Sequence, residues 1–367
     1  MSGTSLDGID AGLVEFDGDQ IKLLAFEYQP FSHSIKKDIQ NLSQPDSAVL
    51  LNQYGSIDTQ LGILFAQASN NLLNKANISS SAIRAIGSHG QTIYHSPGMP
   101  AAFSLQIGDP NIIAEETGIT TVTDFRRRDI AAGGHGAPLV PAFHQAIFSQ
   151  IFDLTKENIT IVNIGGIANI THLSANKTIG FDTGPGNTLM DFWIQKNFDK
   201  AYDKNGTWAK KGRATPELVK ILKQDPYFKL SPPKSTGKEY FSPFWLKEKT
   251  SQTPDCSAED IQASLCQLTA ETITEAIQQH APLTDHTLIC GGGMHNDYLI
   301  ELIRNNLSHP VSSTAEFGIN PDHVEAMAFA WLARQTINNL SGNLMEVTGA
   351  KAPVILGGIY PGKNGLI

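Results

Sequence analysis

The sequence NITIVNIGGIANITHLS, residues 158–174, is the clearest sign of how this chain folds. Apolar and β-branched residues stand on both sides of Gly165 and Gly166, which predicts two strands joined by a glycine turn. The first half of the chain repeats this order, because two predicted strands flank a turn at residues 17–19. In both halves, helices then alternate with strands. This coarse duplication predicts two α/β domains that face a cleft.

The composition is that of a globular protein with enough residues for two domains. The chain has 367 residues, of which 41% are hydrophobic and 17% charged. Its net charge of −9 argues against a nucleic-acid partner or an anionic membrane surface, since both bind basic proteins. The 3 cysteines include no C-x-x-C pair, which indicates reduced thiols in a cytoplasmic protein. We expect no membrane helix and no signal peptide.

Glycine-rich segments stand beside predicted strands at four places. Each has a plain interpretation, because a tight turn often needs the positive φ that glycine adopts readily. Each also has a functional interpretation, because a backbone without Cβ atoms admits a phosphate or a flat ligand. In the third segment, Asp182 follows a strand, at the edge of the sheet where α/β proteins bind ligands. The segments are MSGTSLDGID (1–10), NIGGIANIT (163–171), FDTGPGN (181–187) and CGGGMHN (290–296).

Other well-known motifs are missing from the sequence. There is no G-x-x-x-x-G-K-[ST] loop, no G-x-G-x-x-G after the first strand and no G-x-S-x-G elbow. These absences argue against a P-loop nucleoside triphosphatase, a dinucleotide-binding fold and a common α/β-hydrolase. Residues 202–254 are richer in Lys, Pro and Gly, and are predicted to form helices and loops at the surface.

A set of motifs, in this order and spacing, resembles the anhydro-N-acetylmuramic acid kinases, a bacterial cell-wall recycling family of the sugar kinase, Hsp70 and actin superfamily. The resemblance runs nearly the whole chain. It implies a two-lobed actin-like ATPase with a duplicated ribonuclease H-like fold, and with ATP and sugar in the interdomain cleft. One lobe would comprise residues 1–125 and about 330–367, and the other residues 126–329. The motifs are MSGTSLDGID, GSHGQTIYH, DFRRRDIAAGGHGAPLVPAFH, NIGGIANIT, GFDTGPGNTLMD, CGGGMHN, NPDHVEAMAFAWLA and VTGA.

The same resemblance implies roles for individual residues. Asp182 would be the catalytic base, and Glu325 would contact the sugar. A homodimer, a small anhydrosugar as substrate and a cytoplasmic location are also implied. The first phosphate loop would comprise Gly3, Thr4, Ser5, Leu6, Asp7, Gly8, Ile9 and Asp10, the second Gly165 and Gly166, and the nucleoside pocket Gly291, Gly292 and Gly293.

The implied reaction makes demands that these residue types can meet. Water opens a 1,6-anhydro ring while O6 takes the γ-phosphoryl group of ATP, so a carboxylate such as Asp182 must accept a proton from that water. A carboxylate also stabilises positive charge at an anomeric carbon. Phosphoryl transfer needs Mg²⁺, which is held by phosphate oxygens, water and one or two carboxylates, and Asp7 is the candidate.

Three further substrate contacts are expected, each beside a plainer interpretation. On an extended segment Arg126 and Arg128 would share one side, where one of them could bind the lactyl carboxylate of the sugar, but adjacent arginines are commonly a solvated charge run. His89 either contacts substrate or is a satisfied structural histidine. Glu325 either contacts the sugar or lies on a helix surface.

Two other functions stay open, and so does the start of the chain. The fold would also suit a nucleotide-gated binding module, or a kinase of an ordinary sugar hydroxyl.

In the superfamily, a strand leads into the first phosphate loop, yet here the loop begins at residue 1. We expect about 5–6 further residues upstream, the length of an ordinary strand. A chain extended in this way should bind ATP more tightly.

Overall fold

The computed structural model describes residues 1–3, 6–43, 49–98, 100–253 and 255–363. Two of the residues predicted for the first phosphate loop, Thr4 and Ser5, lie outside these ranges. No helix in the described ranges is long and apolar enough to cross a membrane.

The chain divides into two compact units. The first comprises Met1–Gln150 and His323–Ile367, and the second Ile151–Asp322. The sequence analysis placed these divisions after residues 125 and 329. The segment from residue 126 to residue 150 belongs to the first unit because it packs there, as the contact between the rings of Phe143 and Trp331 shows.

The first unit begins with a β-hairpin, as predicted. Strands β1 and β2 pair antiparallel along their length, with one irregularity after Leu13. Two short strands, β3 and β4, flank the turn at residues 88–90. The elements of this part are β1 (Gly8–Asp17), β2 (Gln20–Pro30), α1 (His33–Leu42), α2 (Leu51–Ala76), β3 (Ile86–Gly87), β4 (Gln91–Ser96), β5 (Phe103–Ile107), α3 (Pro110–Thr117), β6 (Thr121–Thr123), α4 (Phe125–Ala131) and α5 (Val140–Phe148).

The second unit is built on one mixed sheet of five strands. Its order is β11-β10-β7-β8-β9, with β8 antiparallel to both of its neighbours and β10 and β11 parallel to β7. This topology confirms the α/β class and is the arrangement expected of a ribonuclease H-like unit. The elements are β7 (Ile159–Ile164), β8 (Ile167–Leu173), β9 (Thr178–Pro185), α6 (Thr188–Phe198), α7 (Pro216–Lys223), α8 (Pro243–Thr250), α9 (Ala258–His280), β10 (His286–Cys290), α10 (Asp297–Asn306) and β11 (Val311–Ser313).

One face of this sheet packs into the main core of the second unit. Val162, Ile164, Ile170 and Phe181 are fully buried there, together with the apolar face of α9. Because side chains alternate between the two faces of a strand, the neighbours of these residues point to the opposite face. That opposite face holds the polar residues of the candidate site.

The chain then returns to the first unit. Helix α11 (Val324–Ile337) packs on β1 and β3, and it approaches Gly87 so closely that a Cβ there would collide with the carbonyl oxygen of Phe329. After α12 (Met345–Thr348), strand β12 (Gly358–Tyr360) pairs antiparallel with β6, which runs parallel to β3. The end of the chain is thereby tied into the first unit.

Candidate active site

The predicted first phosphate loop is anchored by two apolar side chains in the core. Leu6 and Ile9 are almost fully buried. Leu6 also has a φ of 58°, a left-handed conformation that is uncommon for a residue with a branched side chain. The Leu6 N–H donates to the carbonyl oxygen of Gly3 at 3.3 Å. A Cβ at Gly8 would collide with the β2 backbone. Leu6 and Gly8 are therefore held tightly on the two sides of Asp7.

Asp7 itself points away from the core. Its side chain is 63% exposed, and the nearest cation, Lys36 Nζ, is 3.8 Å from its carboxylate. Its carbonyl oxygen accepts a hydrogen bond from the N–H of Phe31 at 3.0 Å, which fixes the backbone. In the part of the chain that the structure describes, no group of three or more His, Cys, Asp and Glu residues is arranged to hold a metal. A magnesium ion carried by a nucleotide needs only one or two protein carboxylates, so Asp7 fits that role.

His89 connects the start of the chain to Arg126. Its Nδ1 lies 3.2 Å from the carbonyl oxygen of Ser2, and its Nε2 lies 3.2 Å and 3.0 Å from two nitrogens of the Arg126 guanidinium. Because arginine only donates, Nε2 accepts and the Nδ1–H donates to Ser2. Burial lowers the pKa of His89 well below its usual value, and the charge of Arg126 lowers it further. This buried, neutral ring matches the structural interpretation of His89.

The three arginines do not lie on an extended segment, and that expectation was wrong. They belong to α4, where successive side chains point about 100° apart. Arg126 and Arg128 therefore do not share one side. Arg126 also donates to the carbonyl oxygen of Gly136 at 2.8 Å, Arg127 pairs with Asp124, and Arg128 is exposed.

Asp129 is a buried carboxylate that the sequence analysis missed. One of its oxygens accepts hydrogen bonds from the side chains of Asn343 at 2.8 Å and Thr348 at 2.7 Å, and the other accepts from the Gly136 N–H at 2.8 Å. A Cβ at Gly134 would collide with it. Asp129 thus holds the motifs GGHGAP and VTGA together with α4. Both motifs were part of the family resemblance, which was the only signal for this contact.

Glu325 lies in the first turn of α11 and is half-buried. Its charge acts on the amino group of residue 1, which donates a hydrogen bond to the carbonyl oxygen of Asp10 at 2.8 Å. Glu325 therefore lies close to the first phosphate loop rather than on a remote helix surface.

In the second unit, Gly165 and Gly166 form the turn between β7 and β8, as predicted. Their carbonyl oxygens accept hydrogen bonds from the N–H groups of Asn187 at 2.8 Å and Gly186 at 2.9 Å, at the start of α6. A Cβ at Gly186 would collide with the Gly165 carbonyl oxygen, so this approach requires glycine. A Cβ at Gly165 would meet nothing closer than 3.6 Å. The turn is fixed from one side and has space beside Gly165.

The triple glycine after β10 divides into packed and open positions. A Cβ at Gly291 would collide with Asn163, and one at Gly293 would collide with Ile164. Gly292 is exposed, and a Cβ there would meet nothing within 4 Å. The outer glycines let this turn pack against β7, and only the middle one presents open backbone.

Asp182 lies inside β9, which continues to Pro185, rather than at the strand's end. A β-bulge at Thr183 follows it. Its carboxylate accepts a hydrogen bond from the Thr236 N–H at 2.9 Å, its carbonyl oxygen accepts one from the Tyr227 hydroxyl at 2.6 Å, and its N–H donates to Lys234. These partners lie in the segment predicted as surface helices and loops, which the sequence analysis did not connect with the site.

The sheet register brings the predicted residues of the second unit to one place. Asp182 is opposite Asn169, Asn169 is opposite Asn163, and Asn163 is opposite Cys290. Residues directly opposite each other in a sheet place their side chains on the same face. The glycine turns follow β7 and β10 at the same edge, the carboxyl edge where α/β sheets bind ligands. A carboxylate and two amides therefore share one row beside both turns.

The family model and the curated relatives that match this chain carry the same name. The family model described as anhydro-N-acetylmuramic acid kinase matches residues 1–362. The protein of that name from Pasteurella multocida is 46% identical over 364 residues, covering 98% of this chain and 95% of that protein. Its namesake from Photobacterium profundum is 48% identical over 370 residues, covering 98% and 97%. Among solved structures, the ADPNP-bound activator of the 2-hydroxyisocaproyl-CoA dehydratase from Clostridium difficile is 11% identical, with a TM-score of 0.40 and coverage of 83% and 84%.

Proposed function

Because the chain belongs to the anhydro-N-acetylmuramic acid kinase family, we propose that Asp182 is the base that activates water for opening the anhydro ring. The chain is a kinase of cell-wall recycling that uses ATP and acts on 1,6-anhydro-N-acetylmuramic acid. The observation that supports the role of Asp182 is the row of Asp182, Asn169 and Asn163 beside the two glycine turns.

The reaction forms two new bonds, one at the anomeric carbon and one at O6. It also needs one group that accepts a proton. The oxygen of a water molecule attacks the anomeric carbon, and the bond between that carbon and O6 breaks. O6 then takes the γ-phosphoryl group, which leaves ADP. Asp182 accepts the proton of the attacking water, a task for a carboxylate within hydrogen-bond reach. The products are N-acetylmuramic acid 6-phosphate and ADP.

The backbone geometry of the described residues supports their proposed phosphate-binding roles. We propose that Gly3 to Asp10 in the first unit, and Gly165 and Gly166 in the second, bind the phosphates of ATP, and that the open backbone at Gly292 faces the nucleoside. Mg²⁺, carried by the nucleotide, would be held on the protein side by Asp7, and would stabilise the charge of the transferring group.

The sugar contacts are assigned in the first unit. Glu325 would contact the sugar hydroxyls. Arg128 is exposed, whereas Arg126 is bonded to His89 and Gly136, so Arg128 is the arginine that we expect to reach the lactyl carboxylate, with Arg126 adding positive charge behind it. His89 then acts on substrate only through Arg126.

The substitution Asp182→Asn tests the base. We expect turnover to fall by about a thousandfold, within the usual contribution of general-base catalysis, while ATP still binds. Asp203→Asn is the matched control, because Asp203 is also a buried carboxylate of the second unit that accepts main-chain N–H groups, from Trp208 and Ala209. The measurements are kcat and the Kd for ATP. Near-normal turnover of Asp182→Asn would remove Asp182 as the base.

A further inference from the structure

The segment from Tyr227 to Thr236 holds Asp182 at three atoms. We infer that Tyr227, Lys234 and Thr236, here called the Asp182 clamp, are positioning residues that fix the proposed base. This inference rests on the proposed function, since it assigns the clamp a role through Asp182. None of the three touches the reacting atoms in this account.

The clamp occupies the open side of an edge strand. Strand β9 has β8 on one side only. On the other side, the N–H of Asp182 donates to the carbonyl oxygen of Lys234 at 3.2 Å, and its carbonyl oxygen accepts from the Tyr227 hydroxyl at 2.6 Å. The bulge at Thr183 interrupts the pairing with β8 at the next residue. A bulged edge strand is loosely held on its own, so the clamp supplies the restraint that a further strand would give.

The clamp also fixes the carboxylate. The Thr236 N–H donates to Asp182 Oδ2 at 2.9 Å, which selects one orientation of the carboxylate. A bond from a main-chain N–H favours the ionised form, which is the form that accepts a proton. The half-buried ammonium of Lys234 interacts with the Asp182 charge and lies 4.7 Å from the centre of the Tyr227 ring. The clamp thereby holds the base in place and surrounds it with groups that favour its ionised form.

Tyr227 is itself rigid. It is 4% exposed, and its ring meets that of Phe241 edge to face at 5.5 Å. Its N–H donates to Asp225, which also accepts from the indole N–H of Trp245 at 2.7 Å. Burial raises the pKa of the Tyr227 hydroxyl, and the Asp182 charge raises it further, so the hydroxyl stays protonated and donates.

The test compares two neighbouring tyrosines, whose ring centres lie 6.0 Å apart. Tyr227→Phe removes only the hydroxyl that bonds to Asp182. Tyr240→Phe is the matched control, because it removes a hydroxyl that bonds to Asp225 at 2.8 Å instead. Each protein loses one hydrogen bond, and melting temperatures establish that both are folded. The measurements are kcat and the KM for ATP, in the parent protein and in Asp182→Asn.

The clamp predicts a loss that depends on Asp182. Tyr227→Phe should lower kcat about tenfold to a hundredfold, the order expected of a misplaced catalytic group, with little change in the KM for ATP. Tyr240→Phe should keep kcat near that of the parent. Adding Tyr227→Phe to Asp182→Asn should lower turnover no further. Two results would overturn the clamp while leaving the proposed function intact. One is an equal loss of kcat in the two tyrosine variants, and the other is a further loss of kcat when Tyr227→Phe is added to Asp182→Asn. Full turnover of Asp182→Asn would overturn both.

Discussion

His89 and His144 of the first unit are buried, and His95 is half-buried. Burial is the main cause that lowers the pKa of His95 and of His144 to about 3, and it lowers that of His89 well below the usual value. In the unfolded chain, a histidine binds a proton below about pH 6.5. As the pH falls, the unfolded state therefore takes up protons that the folded state does not, and stability declines with it.

His144→Leu tests this titration. For a histidine that stays neutral when buried, the free energy of unfolding should fall by about 2 kcal/mol from pH 7 to pH 5, because only the unfolded state takes up the proton. From pH 7 to pH 5, the free energy of unfolding of His144→Leu should therefore fall by about 2 kcal/mol less than that of the parent protein. Urea unfolding at the two pH values measures the difference.

The matched control for His144→Leu is Phe143→Leu. Phe143 is a fully buried residue of the same helix, and its side chain does not titrate. Its substitution should leave the pH dependence of the parent unchanged. An equal acid sensitivity of His144→Leu and the parent would show that the His144 ring becomes protonated in the folded state.

Helix α4, the loop after it and α12 are joined by one side chain, that of Asp129. It lies on α4, is fully buried, and accepts hydrogen bonds from Gly136 in the loop, from Asn343 just before α12 and from Thr348 in α12. Because α4 also presents Arg126 and Arg128, the position of the proposed sugar-binding arginines depends on this carboxylate.

Asp129→Asn should destabilise the first unit by about 3 kcal/mol. The amide NH₂ group of asparagine would face one of the groups that now donate to the carboxylate, and the hydrogen bonds to that carboxylate would be lost or weakened. Asp124→Asn is the control, since Asp124 pairs with the exposed Arg127 near the surface, where a pair contributes about 1 kcal/mol or less. Thermal unfolding compares the two variants. Equal melting temperatures would contradict the role of Asp129 in joining these elements.

The elements that the sequence predicted well are those with local signals. The alternation of apolar and polar residues in β1 and β2 predicted the hairpin, and the glycine turn after β7 predicted the paired strands of the sheet. The register that aligns Asp182 with Asn169 and Asn163 followed from strand pairing, and only the turn positions were readable beforehand. The Asp182 clamp could not be predicted, because Tyr227 and Thr236 are far from Asp182 in the sequence and show no periodicity. Helix α4 was missed because three adjacent arginines give no apolar period.

At the level of the complete chain, each unit holds some of the residues proposed to take part in the reaction. The first unit holds the loop around Asp7, the arginines of α4 and Glu325. The second unit holds Asp182, its clamp and the two glycine turns at one edge of its sheet. Apart from the Asp182 clamp, these residues lie in the motifs that carry the resemblance to the kinase family, whose model matches residues 1–362.

In the proposed reaction, water that is activated by Asp182 opens the anhydro ring. The deciding measurement is the mass of the product formed from 1,6-anhydro-N-acetylmuramic acid, ATP and Mg²⁺ in H₂¹⁸O. We predict one ¹⁸O atom at the anomeric position of the sugar phosphate for each ADP formed, measured before that position exchanges with solvent. ADP formation with a phosphorylated sugar that has no label would contradict the claim, and would indicate the kinase of an ordinary hydroxyl.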